Sequence, residues 1–173
     1  MVEKFNFSVS SIALLFLINA NINVVLTPRI GKLIGIIGDR KALIFEYYGL
    51  VIIFFAYAFV ENSRIAAGLY VADHFLFALA IAIKTYFQKS ADPADIAATA
   101  SVSFTINHIA AVVLPVFMGM LWLITPSAVF LIGSGIAVLS LLLSMKIPSN
   151  PAPGNEVVIQ NKRLLQHHFP NKH

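Results

Sequence analysis

Asp73 and His74 are the residues here whose types and spacing offer chemistry. They are adjacent in the stretch GLYVADHFLFALAIAIK, with apolar sequence on both sides. A charged side chain at the centre of a membrane helix costs about 2.5–3.5 kcal/mol on insertion scales, so it turns towards the bundle interior or a wet cavity. Histidine titrates near neutral pH, so an aspartate and a histidine facing each other can relay a proton. A second polar pair, Asn107 and His108, lies in SVSFTINHIAAVV, where Ser101, Thr105 and His108 share one helical face. A third set, Asn19 and Asn23, interrupts LLFLINANINVVLT. Lipid offers asparagine no hydrogen bond, so each asparagine must face a partner helix or a cavity. Two readings therefore stand for all six side chains. They line a solute cavity, or they fix helix packing.

The elements that must position these groups are membrane helices. The chain is 58% hydrophobic and only 12% charged, with mean hydropathy +0.82. Ordinary globular domains hold about 45–50% apolar and about 25% charged residues. The apolar residues come in blocks near the ~20 residues that span a bilayer core. The expected fold is all-α: a polytopic bundle of five transmembrane helices in contact with the lipid bilayer. The net charge of +4 does not imply nucleic acid, because the basic residues sit at the ends of apolar runs. With no cysteine, disulfide and thiolate-metal chemistry are excluded.

The first span is expected over about residues 10–34. Asn19, Asn23, Thr27, Gly31 and Gly35 recur every fourth residue, and Gly31-x-x-x-Gly35 has the spacing of a close helix approach. Pro28 is expected to bend the helix near its end. A basic turn, GDRK at 38–41, leads to a second span over 42–60, in which Glu46 is expected to snorkel or to pair with Arg40 or Lys41. The third span covers 65–87. The fourth, 93–124, is expected to start with Asp92 as cap and Pro93 at its first position, and to kink at Pro115. The fifth covers 128–146.

Residues 1–9 form a short N-terminal segment, and 148–173 a polar, proline-rich tail expected to be mobile. His167, His168 and His173 in that tail lack the spacing of a metal site, so no metal or other cofactor is expected. Arg29, Lys32, Arg40, Lys41, Lys84, Lys89, Lys146, Lys162, Arg163 and Lys172 fall on one side of this arrangement, and only Lys4 and Arg64 on the other. The positive-inside bias puts the first group, with the C-terminus, in the cytoplasm and the N-terminus outside.

The stretch Pro28–Lys41 carries a family resemblance. Gly35, Ile37, Asp39 and Arg40 resemble the first half of the loop signature of the major facilitator superfamily, roughly G-x-L-x-D-R-x-G-R-R/K. Ala42 and Leu43 stand where that signature has its Gly-Arg pair, and Lys41 is the remaining basic residue of the turn. Over about residues 5–148 the helix order is similar to the eighth to twelfth helices of that family. Asp92-Pro93-Ala94-Asp95 precedes the equivalent of the eleventh, and Pro115 lies within it.

The family is built of two six-helix bundles with substrate near the midplane. The resemblance implies secondary transport of a small solute across a membrane, expected to be a bacterial inner membrane, with Asp73, His74, Asn107 and His108 as candidates for the cavity or for proton coupling. It also implies that the first seven helices are missing and that transport needs an opposing bundle or an oligomer. The other expected class is a small non-transporting membrane protein, a partner subunit or assembly factor. No nucleophile elbow, paired metal-ligand motif or glycine-rich phosphate loop is present, and no enzymatic activity is expected.

Overall fold

A computed structural model describes residues 7–152 of the 173. His167, His168, His173, most of the tail and the first six residues lie outside that range. The described residues form five helices long and apolar enough to cross a membrane. They are α1 (Val9–Ile37), α2 (Asp39–Phe59), a third span Ser63–Ser90 and two more, α5 (Ile96–Ile124) and α6 (Pro126–Ser144). The third span comprises α3 (Ser63–Phe77), a 3₁₀ turn (Ala78–Ala80) and α4 (Ile81–Ser90). Helix α1 is capped by Ser8, whose hydroxyl accepts the Ser11 N–H at 3.1 Å.

The expected turn between the first two spans is a single residue. Gly38 has φ 87° and ψ 150°, a backbone region open essentially to glycine alone. Its N–H closes α1 on the Ile34 carbonyl at 2.9 Å, and its carbonyl accepts the Ala42 N–H that opens α2. Arg40 and Lys41 therefore belong to helix. The fourth span, in contrast, starts late. Asp92 does not cap it; its Oδ1 accepts the Ala94 N–H at 2.9 Å, and its carbonyl accepts the Asp95 N–H. That local turn uses the donors a cap would need, so the helix begins at Ile96 with Asp95 before it. Helical assignment is continuous through Pro28 and Pro115.

Side-chain contacts show which ends lie together. Asp39 bonds Lys89, and Arg40 donates to the Met145 carbonyl at 2.8 Å and to Ser149 Oγ at 3.4 Å. At the opposite end the Tyr57 hydroxyl donates to the Ala66 carbonyl, and Ser127 Oγ to the Ala58 carbonyl. The chain thus crosses back and forth, with α1 and the third span running in the same direction. Arg40 also fastens the first residues after α6, where Ile147 packs on the core and Pro148 is buried. Most of the tail expected to be mobile lies outside the described residues, and its root is held by these contacts.

The core sits between α1, α2 and the third span, around Ile34, Leu43, Ile53, Leu76 and Leu79. Helix α2 also lies antiparallel along α6. Ser134 Oγ donates to the Val51 carbonyl at 3.2 Å, and the rings of Tyr57 and Phe130 stack at 5.0 Å. Helix α5 differs from all the others: none of its residues is buried.

The every-fourth row in α1 divides between inside and outside. Asn19 is buried, whereas Thr27, Gly31 and Gly35 are exposed, and nothing lies within 4 Å of a Cβ placed at either glycine. Four residues at ~100° each advance the row by about 40° per step, so it has turned through about 160° between Asn19 and Gly35. The expected close approach at Gly31 and Gly35 does not occur among the described residues. It occurs at Gly49 of α2 instead, where any Cβ would collide with the Leu76 side chain.

Candidate functional site

The polar groups of α1 and the third span form one layer. The rings of Phe16 and Tyr70 meet edge to face, with centroids 6.0 Å apart. Because the two helices run in parallel, three further residues along each bring Asn19 level with Asp73. Both rise ~4.5 Å from the aromatic pair. Asp73 lies about 15 Å from the start of its ~42 Å span at ~1.5 Å per residue, and so about 9 Å inside the hydrocarbon core once a ~6 Å headgroup layer is passed.

Asn19 is 3% exposed, and neither its amide nitrogen nor its amide oxygen has a hydrogen-bond partner among the described residues. The buried Tyr70 hydroxyl also has none. Asp73 and His74 are half-buried, with Asp73 Oδ2 3.7 Å from His74 Nδ1. That nitrogen is also 3.1 Å from the Tyr70 carbonyl, and the His74 ring lies against the Tyr70 ring at 4.3 Å. A carbonyl can only accept. The contact is a hydrogen bond when Nδ1 carries the proton, which leaves Nε2 as the free basic atom.

Asparagine in a membrane span usually joins helices by hydrogen bonds, and Asn19 does not do so here. A buried donor or acceptor left unmade costs about 1–3 kcal/mol, which a bound polar ligand or water would relieve. Asn23, one turn on, is half-buried, and its carbonyl accepts the Thr27 hydroxyl at 2.6 Å.

Asn107 and His108 are elsewhere. Both are exposed on α5, and no hydrogen bond, ion pair or ring contact joins them to Asp73 or His74. The Ser101, Thr105 and His108 row is satisfied by its own helix. Each donor lies 2.9–3.0 Å from the carbonyl four residues back, and the His108 ring rests on Phe104 at 3.9 Å. Asn107 lines a separate cleft between α4 and α5.

The loop residues Gly35, Ile37, Asp39, Arg40 and Lys41 separate in the same way. Gly35 and Lys41 are exposed, and Ile37 packs on the core from a half-buried position. Asp39 is 2% exposed and holds Thr85 Oγ1 and Lys89 Nζ, the latter at 2.6 Å. Glu46 does not pair as expected. It is 3% exposed, its Oε2 has no partner among the described residues, and Arg40 is committed to Met145 and Ser149. The helical start at Asp39 explains this, because it aims Arg40 across to the end of α6.

Sequence reasoning missed Tyr70, whose place one turn before His74 was the available signal. It also missed Thr85 and Lys89 as the partners of Asp39. Among the described residues, no three His, Cys, Asp or Glu side chains converge as a metal site would need. Comparison of the chain with protein-family models, curated proteins and solved structures gives no match. The five apolar helices make the chain an integral membrane protein.

Proposed function

We propose that the chain belongs to a secondary transporter of the major facilitator type and carries one side of the path for a small solute. Asp73 and His74 couple that path to protons. The observation that carries the reading is Asn19, buried within its span with both ends of its amide unpartnered, level with Asp73. Cavities that accept polar solutes need such preformed, unfilled hydrogen-bonding groups. The orientation follows the charge bias, with Arg40, Lys41 and Lys89 on the cytoplasmic side of a bacterial inner membrane. An opposing bundle, from another segment or another chain, completes the cavity.

The test uses the complete transporter, with the coding DNA upstream of Met1 read for further in-frame helices. Asp73→Asn is expected to abolish pH-driven uptake while leaving solute exchange. Unchanged uptake with unchanged pH dependence removes the relay. Orientation is checked on the chain itself, which has no cysteine background. Lys41→Cys should react with a membrane-impermeant maleimide only in inside-out vesicles, and Asn62→Cys only in right-side-out ones.

The second reading, a non-transporting partner subunit, draws on α5, which has no buried residue and a row of Ser101, Thr105 and His108 exposed along it. A protein neighbour on that face suits either reading. Only the transporter reading requires Asp73 to titrate during turnover.

A further inference from the structure

Helix α5 has two polar faces, and they are treated differently. On the face of Ser101, Thr105 and His108, every side-chain donor is turned back onto a carbonyl of the same helix. On the face roughly 150° round at ~100° per residue, Ser103 and Asn107 make no hydrogen bond with any described residue. They look into a cleft of about 680 Å³ between α5 and α4. Lys84 and Gln88 on the α4 side are likewise without a hydrogen bond or ion pair among the described residues. Phe87 and Phe104 supply apolar wall, and no carboxylate lines the space. The neighbouring Lys89 is engaged by Asp39, so Lys84 is the cation that faces the cleft.

Depth narrows the ligand. The third span, at ~1.5 Å per residue, is about 42 Å long, close to the ~40–45 Å of a bilayer with its headgroups. Lys84 lies about 9 Å from its end, just inside the ~6 Å headgroup layer, where a flexible lysine stem carries its ammonium outward to phosphate level. Ser103 and Asn107 lie deeper, about 11–17 Å from the start of α5, with Ser103 a few ångström below the ester carbonyls and Asn107 among the acyl methylenes. The volume falls in the ~300–1,000 Å³ range of ligand pockets.

We infer that the α4–α5 cleft binds an anionic amphiphile. Lys84 and Gln88 hold its phosphate or carboxylate, Ser103 donates to an ester or carbonyl oxygen, and the chain lies along Phe87 and Phe104 towards Asn107. Two sources share this chemistry: an anionic membrane lipid and a soluble amphiphilic solute. The inference does not rest on the transport reading, because it uses none of Asn19, Tyr70, Asp73 or His74.

The experiment is native mass spectrometry of the intact chain, released from nanodiscs containing equal parts phosphatidylglycerol and phosphatidylcholine. A second arm adds dodecyl phosphate to the detergent-purified chain. Wild type should retain phosphatidylglycerol preferentially, and Lys84→Gln should cut that preference about fivefold, the usual worth of one lysine beside an anionic headgroup. Lys84→Arg should restore it. Ser103→Phe, which fills the cleft and leaves the charge, should lower retention of both lipids at the site. Lys41→Gln, an exposed lysine at the same end of the bundle, should change nothing.

Lys84-dependent binding of dodecyl phosphate without phosphatidylglycerol preference supports the cleft and assigns a soluble amphiphile. Equal retention of the two lipids with no Lys84-dependent dodecyl phosphate binding overturns the inference. Equal losses in Lys84→Gln and Lys41→Gln overturn it too, because they would show surface charge alone.

Discussion

Helices α2 and α5 are both apolar, with mid-chain polar residues, yet they are held in opposite ways. Helix α2 buries Asp39, Ala42, Leu43, Glu46, Ile53, Tyr57 and Ala58, packing on α6 along one flank and on the third span along another. Helix α5 buries nothing and leans chiefly on α6, with Trp122 against Phe130 at 5.7 Å. Hydrophobicity does not separate them. In lipid there is little hydrophobic drive to bring two apolar helices together, so packing follows small residues, ring contacts and hydrogen bonds that cross between helices. Helix α2 has these at Gly49, Tyr57, Asp39 and Arg40. On α5, Ser101, Thr105 and His108 bond to α5 itself, and Ser103 and Asn107 face the cleft.

The difference can be broken most forcefully at Asp39. Asp39→Ala removes charge-assisted bonds to Lys89 and Thr85 and is expected to lower stability by about 2–3 kcal/mol, read as unfolding by denaturant titration in detergent. Lys89→Gln should cost less, because Lys89 is half exposed and the Thr85 bond remains. Equal losses in the two variants would mean the ion pair alone matters.

A smaller effect is expected at Gly49. Gly49→Ala drives a methyl into Leu76 and should destabilise by about 1–2 kcal/mol. Leu76→Ala in the same chain should return part of that loss, and a double-mutant cycle showing no coupling between the two sites would contradict the contact. The smallest effect belongs to α5. Val112→Ala and Leu123→Ala, at 70% and 83% exposure, should each stay within about 0.5 kcal/mol of wild type for the isolated chain. A loss near 2 kcal/mol at either would mean that the face of α5 is already covered by a second copy.

Much of the fold was legible. Length and apolarity locate a span wherever they occur, so the five apolar helices and the placing of Asp73 and His74 inside one of them followed from composition. The site was legible only in part. Asn19 and Asp73 could each be suspected, but their common level depends on the Phe16–Tyr70 contact, which joins residues 54 apart in the chain. Asn107 and His108 looked equivalent to them by residue type, and they stand on a helix the bundle does not enclose. A turn written as GDRK gives no sign that Gly38 alone makes the bend and that Arg40 reaches α6.

By itself, then, the sequence determined five helices long and apolar enough to cross a membrane among the described residues, and at which ends of the spans the cations gather. Those properties depend on the local cost of placing a side chain in lipid or in water. Only the tertiary structure decided which polar groups are paired, which are buried without partners and which face an open cleft. A hydrogen bond needs two atoms within about 3 Å, and in a helical bundle the second atom is supplied by a helix far away along the chain.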